Sequence, residues 1–139
     1  MKKFDGLTKY IPLIESDEIG HWQVDHENDG TTEHPIQLPF VKFSEMVCQF
    51  TTDVGAVVEQ YPELGLTCYQ EILEQNGIKW ELKSMSGAIV EDLDARCICA
   101  LLVGAVRAER FCDGALLAFF KNGSITRWLQ RLKAIDIEK

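Results

Sequence analysis

The stretch Asp92–Gly114, DLDARCICALLVGAVRAERFCDG, decides the fold. Its middle, Cys97–Val106, is ten consecutive residues without a formal charge, apolar around the whole helical circumference rather than along one stripe. A helix of that kind is one surrounded by other helices. Its length is about half of the roughly 20 residues a bilayer-crossing helix requires, so it reads as the hub of a water-soluble core. Asp92 is expected to cap it, with the helix beginning at Leu93 and Asp94 adding favourable charge near its amino terminus.

Charge returns abruptly where the apolar run ends, at Val106–Gly114, VRAERFCDG. Burying an unpaired guanidinium or carboxylate is expensive, so these groups either pair within the fold or bind something. At 100° per residue, Arg96, Arg107 and Arg110 fall within a sector of about 60°, with Ala100, Val103 and Gly104 between them on that side. A planar guanidinium matches carboxylate or phosphate, which makes these three arginines, together with Glu109, candidate ligand-binding residues. The competing expectation is structural: Arg107 and Arg110 pair with acidic side chains elsewhere or with Asp113. Asp113 before Gly114 is expected to cap the next helix by accepting the amide of Ala115 or Leu116. Glu109 is then left without a local partner.

Outward from this stretch the chain reads as helices. Residues 4–15 carry Phe4, Leu7, Tyr10, Ile11 and Ile14 at helical spacing, with Pro12 as a local disturbance. Residues 16–39 lose periodicity and are expected to form one long polar loop, with a short extended piece near Trp22–Val24. Ser44 should cap a helix burying Val47, Phe50, Val54, Val57, Val58 and Tyr61. Another helix is expected from Leu66 to Gln75, stopped by Asn76-Gly77. Residues 78–91 are ambiguous, with IKWEL readable as a strand. ALLAFFK is helical, Asn122-Gly123 ends it, and Ser124 is expected to cap a last helix burying Ile125, Trp128, Leu129, Leu132 and Ile135. The expected fold is all-α, a single domain over 1–139 with five to six helices packed around the one that starts near Leu93.

Composition narrows the function classes. A chain of 139 residues, 46% hydrophobic and 26% charged, can bury roughly two thirds of its unfolded surface and form an independent core. The five cysteines have no zinc-type spacing and read as reduced packing residues. The amino terminus lacks a signal-peptide pattern, so the expected location is the cytoplasm, with no membrane association. A net charge of −8 argues against nucleic acid as a partner. That charge is uneven, net −11 over residues 1–106 and net +3 over residues 107–139, so the carboxy-terminal part is suited to an acidic surface, of this chain, a second copy or another protein.

Three further constellations read as structural. His21, His26 and His34 lie with Asp25, Glu27, Asp29 and Glu33 in the polar loop, but at no metal-site spacing, so no metal or cofactor is expected. The last two helices suggest a helix-turn-helix with Arg127, Arg131 and Lys133 outward, yet Phe119 stands where that motif wants a small residue. Cys112 has no histidine near it in sequence to activate it.

The stretch LDARCICALLVGAVRAERFCDGALLAFFKNGSITRWLQRLKAID resembles a family of small bacterial domains of unknown function. The likeness extends upstream through HENDGTTEHPIQLPFVKFSEMVCQF, and its most distinctive string is VRAERFCDG. The chain departs from that pattern at Val54-Gly55-Ala56, where the resemblance implies an aromatic residue after the valine. It implies a largely helical intracellular domain and brings no activity. The function expected is therefore a noncatalytic interaction domain, self-association included, with a small anionic-ligand binder or enzyme using Arg107, Glu109 and Arg110 as the alternative.

Overall fold

The structure, a computed structural model, describes residues 4–16, 19–23, 40–112 and 114–138. Eight α-helical segments carry it: α1 (Asp5–Thr8), α2 (Ile11–Ser16), α3 (Glu45–Gln60), α4 (Tyr69–Gln75), α5 (Leu82–Ser86), α6 (Ala95–Ala108), α7 (Ala115–Lys121) and α8 (Ser124–Glu138). Two strands, β1 (Gly20–Gln23) and β2 (Phe40–Phe43), pair antiparallel with Gly20 opposite Phe43. The fold is all-α around the expected hub: α6 packs against α3, α4, α7 and α8, and every residue from Cys97 to Ala105 is buried.

Several boundaries differ from the sequence reading for physical reasons. The central helix begins at Ala95, because Asp94 rather than Asp92 is the cap, its Oδ1 accepting the Cys97 amide at 2.9 Å. Asp92 ends a 3₁₀ turn, Val90–Asp92, that buries Val90 and leads into the buried Leu93. The helix expected over 4–15 divides into α1 and α2, as Pro12 has no amide hydrogen to continue the ladder from Thr8. The Leu66–Gln75 helix opens with a 3₁₀ turn, Leu66–Cys68, before α4. IKWEL is not a strand. Trp80 turns inward there, and its indole Nε1 donates to Gly104 O at 2.9 Å. A Cβ on Gly104 would meet Met85 Cε at 3.1 Å and Trp80 Cδ1 at 3.4 Å, so the absence of a side chain lets the indole lie on α6.

Elsewhere the periodicity holds. Ser44 Oγ accepts the Val47 amide at 3.4 Å, and α3 buries Val47, Phe50, Val54 and Val57. Ser124 is not the cap expected of it. Its hydroxyl is buried and donates to Ser86 Oγ at 3.0 Å, while Asn122 Oδ1 accepts the Ser124 amide at 2.9 Å. The amino-terminal turn is fastened by Asp136, whose Oδ2 accepts the Phe4 amide at 3.0 Å, and by Tyr10, which donates to Asp53. Of the loop expected over 16–39, residues 17–18 and 24–39 lie outside the described residues, with His26, His34 and the acidic side chains among them.

Candidate binding groove

Positions 54, 55, 58 and 59 of α3 share one helical stripe, as do 103, 106 and 107 at the end of α6, with 110 in the turn that follows. Where the two helices pack, these stripes face one another across a groove of about 400 Å³. Val54 and Val103 are buried at its base, and Val58 and Val106 are half-buried above them. Gly55 leaves it open: a Cβ built there has no atom within 4 Å. Arg107 lines the groove from the end of α6, Arg110 from the turn after it and Glu59 from α3, and all three are exposed. Among the described residues, no carboxylate forms an ion pair with Arg107 or Arg110. Both are exposed because the chain reaches solvent at the end of α6, and the pairing expected with Asp113 falls outside the described residues.

The remaining candidates are placed elsewhere. Arg96 shares the sector of Arg107 only in projection, since eleven residues separate them by roughly 16 Å along the axis. Its Nε donates to Leu64 O at 2.8 Å, tying the amino-terminal end of α6 to the 3₁₀ turn Pro62–Leu64. Glu109 turns away from the groove and acquires the local partners it was expected to lack. Its carboxylate accepts the Gly114 amide at 3.0 Å and the Leu116 amide at 3.0 Å, so it satisfies orphan amides at the start of α7. Asp113 lies outside the described residues, and the two amides its expected cap required are engaged otherwise, Ala115 on Cys112 O at 3.0 Å and Leu116 on Glu109. Phe111 is 76% exposed and meets Trp80 edge-on, with ring centroids 5.6 Å apart.

Arginines 127 and 131 do not form a free outward face. Arg127 donates to Ser86 O, and Arg131 Nε donates to Leu93 O at 3.2 Å, so both tie α8 to the preceding segments, while Lys133 is exposed. Phe119 packs on Trp128 with centroids 5.5 Å apart, in keeping with a packed helical hairpin. His21 is exposed in β1, and no group of three or more metal-ligating side chains occurs among the described residues. Cys112 is exposed in the turn after α6.

The groove itself was half legible in the sequence. Its arginine side followed from helical projection, whereas its α3 wall depends on which helix meets α6. The signal that pointed there was a glycine inside an otherwise strong helical pattern.

Fold and site together define an α-helical protein built on a buried central helix, with an arginine-rimmed, valine-lined groove beside it. No described helix is long and apolar enough to cross a membrane. The chain belongs to a family of unknown function, DUF6508, whose model matches residues 1–138. No curated protein and no solved structure matches the chain.

Proposed function

We propose that the protein is a noncatalytic binding domain, folding as a single unit in the cytoplasm, that recognises an anionic group in the groove between α3 and α6. The observation that carries this reading is the pair Arg107 and Arg110: two exposed guanidiniums on one groove, without an acidic partner among the described residues. Two guanidiniums lining one groove suit an incoming carboxylate or phosphate oxygen pair. Arg127 and Arg131, by contrast, are engaged on backbone carbonyls. The alternative use of Glu109 in an enzyme site is weakened, because that carboxylate is already hydrogen-bonded to the amides that begin α7.

The test is amide chemical-shift mapping of the full chain against acetate, inorganic phosphate and a hexaglutamate peptide. The expected result is that at least one of these anions moves signals within 51–59 and 103–110, and that Arg107→Ala/Arg110→Ala abolishes the response. Unmoved signals in both segments with all three probes contradict the reading. The same samples report self-association: a salt-dependent sedimentation coefficient that the double variant loses places a second copy's acidic surface at the arginines.

A further inference from the structure

The anion-binding reading leaves open what the rest of the occupant is, and the groove's own walls address that question. Building on that reading, we infer that the occupant is a small monoanionic organic acid, its carboxylate on Arg107 and Arg110 and its apolar body lying over Gly55 between Val58 and Val106. The charge balance is one argument. Two guanidiniums and the Glu59 carboxylate line the groove, which leaves a single positive charge among its described ionisable residues. A lone carboxylate complements that, whereas a phosphate dianion brings a second charge toward Glu59.

Size is the second argument. About 400 Å³ lies near the small end of the roughly 300–1,000 Å³ typical of ligand sites. A protein partner would cover on the order of 800 Å² of this surface and would call for apolar area beyond the groove. Among the described residues, the exposed large apolar side chains do not supply it: Leu13, Leu82, Ile89 and Ile137 belong to α2, α5, the segment before Val90 and α8, and of them only Phe111 lies next to the arginine-bearing end of α6. Shape is the third. Valine walls on both helices present stiff branched surfaces, and the open position above Gly55 leaves the groove free toward an acyl or ring portion.

Octanoate is the probe, with acetate supplying the head alone, octanol the body alone, and hexaglutamate the charge on a chain too large for the groove. Amide mapping is expected to place octanoate at 54–58 and 103–107, with acetate and octanol each bound roughly tenfold or more weakly. Arg107→Ala/Arg110→Ala should reduce octanoate affinity by about tenfold to a hundredfold, the usual effect of removing charge-assisted hydrogen bonds. Gly55→Leu fills the groove from an exposed helical position that tolerates a side chain. It should weaken octanoate about tenfold and leave any hexaglutamate response unchanged. Octanoate binding indifferent to Gly55→Leu, or an equal loss for octanoate and hexaglutamate, overturns the small-acid assignment while the anion site stands. Octanoate binding indifferent to loss of both arginines overturns the site itself.

Discussion

Gly55 sits inside α3, where glycine is less favourable than alanine by roughly 0.5–1 kcal/mol because its backbone loses more freedom on folding. Neither of the usual reasons for a glycine applies: its φ is not positive and no neighbouring atom crowds its Cβ direction. Gly55→Ala is accordingly expected to raise the unfolding free energy by about 0.5–1 kcal/mol in urea denaturation. No gain would mean that the space above Gly55 is occupied by something the chain itself provides. The residue scale also separates the three described charges of VRAERFCDG by where each lies, which composition could not do. Arg107 and Arg110 rim a groove, whereas Glu109 in the same string faces the next helix.

At the scale of elements, the junction between α6 and α7 rests on Glu109. The expectation placed a cap at Asp113 because capping rules look one to three residues ahead. Glu109 acts across five and seven residues, which is possible only once the chain has reversed through Gly114 at φ 93°. Glu109→Ala is expected to destabilise the fold by about 1–2 kcal/mol, the range for losing a helix cap, with Glu109→Gln retaining part of it through the amide oxygen. Thermal or urea unfolding of the two variants checks this, and wild-type stability in Glu109→Ala would contradict the assignment. Long periodic elements were legible: α3 with Ser44 before it, and α6 as an all-round apolar helix. Short ones were not, since α5 and the β2 strand are set by what they pack on or pair with. Asp92 and Asp94 are equally good caps locally, and burial of Val90 and Leu93 selects the second.

Across the whole molecule, one continuous core joins α1 through α8, and its aromatic contacts run from Tyr10 to Phe50 to Phe120 at 5.3 and 5.4 Å. Two acids sit within this packing in neutral form. Burial, then the hydrogen bond to Asp53 and that carboxylate's charge, hold the Tyr10 hydroxyl well above its ordinary 10.0. Burial, with a smaller contribution from the Asp94 carboxylate, pushes the Cys97 thiol from 9.0 to about 11. Both folded values are raised, so the associated stability is complete below the ordinary values and declines as pH rises, when the unfolded chain releases protons that the fold retains. Unfolding free energy measured from pH 8 to 11 is expected to fall, and Tyr10→Phe to flatten the upper part of that fall; a flat profile in the wild type contradicts it.

The central claim is that the chain directs Arg107 and Arg110 outward for a ligand rather than using them to hold itself together, and urea denaturation of Arg107→Ala/Arg110→Ala tests it most directly. Exposed arginines contribute little to folding, so the double variant is expected to unfold cooperatively within about 1 kcal/mol of wild type. A loss of about 3–5 kcal/mol, the penalty for stranding a buried ionic partner, would show that these arginines are structural and that the groove is not a binding site.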